Sequence, residues 1–162
     1  MTQGVLFEGV YTTPRITLEV ARNQVQENRR TGVKCPCCDQ MAREWRHSMV
    51  GVAVASLVRL VAMYEGEPIH LDQFYVNKKD RNFPTLKCWD LVEPGINEDT
   101  QKKASGMFYP TLRGIRFAAG EIHVPEYVWT YNKEVIGVEG RLVSVFDVLG
   151  NKFDYKELFN NE

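Results

Sequence analysis

The cluster at Cys35, Cys37 and Cys38, interrupted by Pro36, holds three of the four cysteines of the chain, the fourth being Cys88. A Cys-x-x-Cys pair such as Cys35 and Cys38 in a Pro-bearing turn lets two thiolates converge on one tetrahedral ion, with the turn's backbone N–H groups stabilising the sulfurs. That is chemistry for zinc. A structural zinc takes four ligands, and the sequence contains no second Cys-x-x-Cys. The further candidates are Cys37 and His47, the latter nine positions beyond Cys38, followed by His70, Cys88 and His123. Two chains that each donate Cys35 and Cys38 would complete the set across a homodimer. A half-knuckle that holds no metal and a redox-sensitive pair with a lowered thiol pKa remain open as alternatives.

A second group of residues has the types needed to grip a phosphate backbone and read base edges. Lys78, Lys79, Arg81, Asn82, Thr85 and Lys87 fall within ten positions, and Lys102 and Lys103 follow in a polar stretch. Lys and Arg neutralise phosphates, whereas Arg, Asn and Thr near a helix start reach base edges. The whole chain of 162 residues carries 20 basic and 21 acidic groups, a net charge of −1, which argues against a general nucleic-acid binder. By segment the picture changes. Residues 77 to 120 carry eight basic against five acidic side chains, net +3, and residues 121 to 162 carry four against eight, net −4. An acidic end therefore masks a mildly basic middle. No catalytic residue is nominated, because the sequence has no Gly-rich phosphate loop, His-Glu-x-x-His, Gly-x-Ser-x-Gly or dinucleotide fingerprint.

The elements that must position these groups follow from periodicity and punctuation. Thr17 to Arg30 reads as a surface helix with Leu18, Ala21 and Val25 on one side and Gly32 as its stop. After the Cys-rich turn, the pattern from Met41 to Glu65 reads as one long helix, with Trp45, Met49 and Val52 on one side and apolar character nearly all round from Met49 onward. Gly66 and Pro68 end it, and Ile69 to Leu71 is a short strand or lead-in. A short helix is expected over Leu71–Val76, a polar turn over Asn77–Asp80, and a second helix capped by Asp80 or Asn82 and running to about Leu91. Pro84 is tolerated in its first turn, and Phe83, Leu86 and either Trp89 or Leu91 face the core. A hairpin with a long polar loop follows, returning at Gly106–Tyr109, and Thr111 caps a further short helix. Beyond Glu121 the residues Val124–Tyr131 and Val135–Val138 are strand-like about an Asn132-Lys133 turn, Leu142–Phe146 follows, and a short helix starts near Tyr155. The aromatic residues Tyr127, Trp129 and Tyr131 read as core or interface packing.

The order from a buried helix through helix, turn, helix and hairpin resembles a winged helix-turn-helix domain. Phe83 to Glu93, with its Leu91-Val92-Glu93 ending, looks like the second helix of such domains leading into the wing, and Phe108 to Phe117 is similar to the returning wing strand and the helix after it. The chain as a whole also resembles a group of small tailed-bacteriophage proteins with a Cys-Pro-x-Cys turn, which implies a bacterial cytoplasm and supplies no activity. The expected fold is α+β: an N-terminal helix and Cys-rich turn (1–40), a winged helix-turn-helix core (41–120) and an acidic, β-rich C-terminal appendage (121–162). The resemblance implies a regulatory protein that binds duplex DNA through the second helix and the wing. The alternative is a phage-encoded adaptor or inhibitor that binds a host protein through residues 121–162. Met1–Val10 shows no basic segment followed by an apolar run, and Met49–Tyr64 is too short for a membrane span and contains Arg59, so a cytoplasmic protein without membrane association is expected.

Overall fold

The structure, a computed structural model, describes residues 16–160. It is a mixed α+β arrangement with small antiparallel sheets. No described helix is long and apolar enough to cross a membrane. The chain divides into two compact units, Met1–Glu44 and Trp45–Glu162, where the sequence points to divisions at 40/41 and 120/121. The N-terminal Met1–Val10 lies outside the described residues.

In the first unit, helix α1 (Leu18–Asn28) starts at Thr17, whose hydroxyl accepts from the Val20 N–H at 3.3 Å. This cap satisfies one of the free N–H groups of the first turn. The helix ends at Asn28, and Gly32 follows as the expected stop: its φ of +98° suits a residue without Cβ, and its N–H reaches the Asn28 carbonyl at 2.9 Å. Strands β1 (Val33–Lys34) and β2 (Met41–Ala42) then form a hairpin around the cysteine turn, with Lys34 opposite Met41 and Val33 opposite Ala42. Arg29 Nε and Glu44 Oε1 lie 2.9 Å apart, and the Glu44 N–H bonds the Arg29 carbonyl, so the exit of the hairpin is held to the end of α1.

The second unit begins with strand β3 (Trp45–Ser48), followed by helix α2 (Gly51–Met63). The single helix expected over Met41–Glu65 is therefore wrong in its first ten residues. Trp45 belongs to a strand and is 54% exposed, instead of facing a core from a helix. From Ala53 to Leu60 the expectation holds: Ala53, Val54, Ala55, Ser56, Leu57, Val58 and Leu60 are buried. The hydroxyl of Ser56 is satisfied inside the core, donating to the Val52 carbonyl at 3.0 Å and accepting from the Val76 N–H at 3.2 Å.

After β4 (Ile69–His70) and α3 (Leu71–Phe74) comes a 3₁₀ helix, η1 (Phe83–Trp89), then β5 (Val92–Pro94), β6 (Met107–Pro110) and α4 (Leu112–Ala118). Where the sequence predicts an α-helix reaching Leu91, the backbone is wound more tightly and stops at Asp90, which is left-handed at φ +59°. Phe83 and Leu86 are buried as expected, and of the two alternatives for the third core position both Trp89 and Leu91 are buried. Phe83 makes ring contacts with Phe74 (4.9 Å) and Phe108 (5.2 Å), so an aromatic cluster joins α3, η1 and β6. Strand β6 lies between β4 and β5, with Ile69 opposite Phe108 and Val92 opposite Pro110. Thr111 caps α4 as expected, accepting from Gly114 N–H at 2.9 Å.

Strands β7 (Val124–Tyr131) and β8 (Glu134–Val143) form a long hairpin about Asn132-Lys133, both with positive φ. β8 runs unbroken through Gly140 and Leu142, so the separate segment expected at 142–146 splits between the end of β8 and helix α5 (Val145–Leu149); α6 is Tyr155–Asn160. β3 pairs with the other side of β7, giving the order β3-β7-β8. Residues 121–160 share the core of 45–120. Val124, Val128, Val143, Val145 and Leu149 are buried in it, and α2 is packed against α3, η1, α4, α5 and α6. Each such side chain removed from water contributes roughly 1.5–3 kcal/mol.

Candidate nucleic-acid interface and cysteine turn

The eight residues nominated for DNA lie on two segments of the second unit. Lys78, Lys79, Arg81 and Lys87 are exposed on the approach to η1 and along it, and Lys102 and Lys103 are exposed in the loop between β5 and β6. Lys102 Nζ is 3.6 Å from Asp99, an exposed ion pair that water screens. Asn82 and Thr85 are otherwise engaged. Both the backbone N–H and the side-chain amide of Asn82 donate to Asp80 Oδ1, at 3.0 and 2.8 Å, and the Thr85 hydroxyl donates to the Asn82 carbonyl at 2.5 Å. These bonds define the start of η1, and a base edge would compete with them. The side chains of Lys78, Lys79, Arg81 and Lys87 are exposed and stand outside this set of bonds.

A neighbouring feature carries Arg113 and Arg116, which the sequence reading counts only as charge, and His123, one of its further zinc candidates. An open cleft of about 590 Å³ is lined by Asp90, Glu93, Arg113, Arg116, Ile122 and His123. Arg113 Nε donates to the Trp89 carbonyl at 3.1 Å, and Arg116 pairs with Glu121 at 3.2 Å. The spacing of Arg113 and Arg116, three apart on α4, is the sequence signal for this wall. On strand β6, the Tyr109 hydroxyl donates to Glu93 at 2.6 Å, and that bond to a carboxylate pushes the phenol's pKa up.

The cysteine turn is a compact loop. Cys35 N–H bonds the Gln40 carbonyl at 2.8 Å, Asp39 N–H bonds the Cys35 carbonyl at 2.9 Å, and Asp39 is left-handed at φ +58°. The backbone N–H groups of Cys37 and Cys38 donate to the Cys35 sulfur and hold its thiol below the usual range. Cys37 is pushed the other way, by desolvation and by the neighbouring Cys35. Cys38 is exposed, and all four cysteines are free. Cys88 is half-buried against the core, and burial raises its thiol.

His47 is not on a helix behind the turn, as the sequence suggests, but on β3. Its Nε2 lies 2.9 Å from the Thr130 hydroxyl on β7, and burial lowers its pKa. Among the described residues no group of three or more His, Cys, Asp or Glu side chains is placed to hold a metal ion.

The β3-β7-β8 sheet supplies one more surface. Tyr127 and Trp129 are half-buried. Arg46 stacks on Tyr127 with its guanidinium carbon 4.6 Å from the ring centre, and the Trp129 indole donates to Glu139 at 2.7 Å. Among the described residues β8 pairs with a strand on one side only, and it exposes Val135, Ile136, Val138 and Leu142. Comparison of the chain with protein-family models, curated proteins and solved structures gives no significant match in any of the three.

Proposed function

We propose that the protein binds duplex DNA as a regulator, with residues 77–91 and the β5–β6 loop as its contact surface and a winged helix-turn-helix arrangement as its scaffold. The observation that carries this reading is topological. The elements follow the order α2, β4, α3, η1, β5, loop, β6, with the last strand inserted between β4 and β5. In such an arrangement the second helix enters the major groove and the loop between the last two strands lies along the backbone. Lys78, Lys79, Arg81 and Lys87 then serve the helix, and Lys102 and Lys103 the wing. A segment charge of only +3 makes each phosphate contact count, so binding is weak and strongly dependent on salt.

Fluorescence anisotropy of a labelled mixed-sequence duplex, titrated with protein over a series of salt concentrations, tests this. Saturable binding that weakens linearly in log–log form as salt rises is expected; no rise in anisotropy at the lowest salt overturns it.

A second reading has its own support. The edge of β8 that pairs with no strand among the described residues, with Val135, Ile136, Val138 and Leu142 exposed along the strand, is the kind of edge to which an extended segment of another protein adds a strand. In that case the protein is an adaptor or inhibitor of a host protein. Val138→Lys blocks this mode while leaving duplex binding unchanged, which separates the two.

A further inference from the structure

The cleft beside α4 lies wholly within the second unit, and its walls are fixed by the fold. The start of α4 is tied to the end of η1: the Thr111 hydroxyl donates to the Asp90 carbonyl at 2.6 Å, the Thr111 N–H to the Leu91 carbonyl at 3.1 Å, and Arg113 Nε to the Trp89 carbonyl at 3.1 Å. After α4 the chain reverses at Gly120, whose φ is +77°, and the Glu121 N–H bonds the Arg116 carbonyl at 2.9 Å. That reversal sets Ile122 and His123 in the same cleft as the two arginines. Walls already held by backbone bonds leave little to be ordered when a ligand arrives, which favours affinity.

Two kinds of polar group line the space. Arg113, Arg116 and His123 come from α4 and the segment after it, and Asp90 and Glu93 from the end of η1 and from β5. Among the described residues both guanidiniums make their hydrogen bonds through Nε alone, Arg113 to the Trp89 carbonyl and Arg116 to Glu121, so their terminal nitrogens keep donors to spare. Such donors match the oxygens of a phosphoryl group. The two carboxylates repel a bare anion but accept from hydroxyl groups, and the Tyr109 hydroxyl holds Glu93 in place through one oxygen, Oε2. Leu112, 74% exposed, and Ile122 add apolar surface. The volume of about 590 Å³ is that of a small-molecule site. A phosphoryl group, hydroxyls and a flat apolar face occur together in a nucleotide.

We propose that this cleft binds a nucleoside monophosphate, with the phosphoryl group on Arg113, Arg116 and His123, the ribose hydroxyls on Asp90 and Glu93, and the base against Leu112 and Ile122. None of the residues assigned to duplex binding lines the cleft, and the site operates whether or not the chain binds DNA.

Isothermal titration calorimetry of the full chain with the monophosphates of adenosine, guanosine, cytidine and uridine, and with the free nucleosides, ribose phosphate and inorganic phosphate, tests this. At least one nucleotide is expected to saturate a single site per chain, with its nucleoside and inorganic phosphate weaker by about tenfold or more, the loss that follows when charge-assisted hydrogen bonds or their neutral companions are missing. Arg116→Gln, and separately Arg113→Lys, which keeps the charge but not the fork, weaken the nucleotide. Glu121→Gln alters the same ion pair as Arg116→Gln from its other end and leaves the nucleotide as tight or tighter, which a merely structural role for Arg116 does not predict. Asp90→Asn, a side chain that also tolerates the left-handed backbone at this position, narrows the gap between nucleotide and inorganic phosphate. Lys102→Ala with Lys103→Ala leaves nucleotide affinity unchanged, so a failure of duplex binding and a failure of this site are told apart. No saturable heat with any of the nucleotides at millimolar concentration, equal affinity for inorganic phosphate, or unchanged affinity in Arg116→Gln and Arg113→Lys overturns the proposal.

Discussion

The indole Nε1 of Trp89 donates to the carbonyl oxygen of Pro125 at 2.6 Å, tying the last turn of η1 to the first residues of β7. Trp89 is 4% exposed, so this bond forms in a nearly dry setting. Replacing the indole by a phenyl ring leaves the Pro125 carbonyl unpaired and costs about 1–3 kcal/mol; Trp89→Ala adds a cavity and costs about 3–5 kcal/mol. Urea denaturation followed by circular dichroism measures both. The same bond means that deletion of residues 121–162 removes part of the core of the unit. The truncated protein is therefore expected to lose cooperative unfolding, and point substitutions are the way to dissect its surfaces.

Helix α4 comes against the backbone of Leu91, just ahead of β5, at Gly114, which is buried. A Cβ at this position would overlap the carbonyl oxygen of Leu91, a backbone atom that cannot step aside. Gly114→Ala is expected to cost more than about 3 kcal/mol, well above an ordinary small-to-large change, and to be recovered largely in insoluble form. Ala119, exposed on the same short segment, is the control: Ala119→Ser should leave the urea midpoint where it is.

Two groups give the stability a pH dependence with the same sign. Asp147, bonded to the N–H and hydroxyl of Ser144 in a capping box, has its carboxyl held below the ordinary value by those bonds. Its contribution is complete above the unfolded pKa of about 3.9 and is lost as pH falls through the lower folded value. His47 is lowered by burial, so the folded chain binds its proton less readily than the unfolded chain. Stability is full above the unfolded His value of about 6.5 and falls as pH drops from there toward the folded value. Thermal melts of the native protein, Asp147→Asn and His47→Gln between neutral and acid pH check this. His47→Gln should flatten the slope just below neutrality, and Asp147→Asn the slope in the acid range.

For duplex binding, Lys102→Ala with Lys103→Ala is expected to weaken affinity for every sequence alike and to reduce the salt slope by about one for each phosphate that is no longer neutralised. Arg81→Ala should additionally flatten the preference among sequences, because Arg81 is the exposed fork-shaped donor at the start of η1. Anisotropy titrations on a panel of duplexes, each at several salt concentrations, separate the two effects.

The elements from α2 to α4 are legible locally because each has its own punctuation: Gly66 and Pro68 after α2, Pro84 at the start of η1, Thr111 before α4. The core face of η1 follows from Phe83 and Leu86. Residues 41–48 read as helix because Arg43, Glu44 and Arg46 are good helix formers beside an apolar run. What makes 45–48 a strand is its partner, with His47 opposite Val128 and Trp45 opposite Thr130, and no local pattern reveals a partner that far along the chain. The cysteine turn is readable from spacing alone. That Asn82 and Thr85 turn toward Asp80 and their own backbone is not, since it depends on the tight winding of η1.

The bond between His47 and Thr130 spans 83 positions. A ribosome adding about 5–20 residues per second takes roughly 4–17 s to cover that span, and α6, which packs on α2, is made later still. Throughout this interval the nascent chain displays an apolar helix with neither β7 to hold its leading strand nor α6 to cover it. Assembly of the second unit therefore cannot finish before its far end has been made, and slower translation at lower temperature lengthens the exposure of α2 even as cooling weakens the attraction between apolar surfaces.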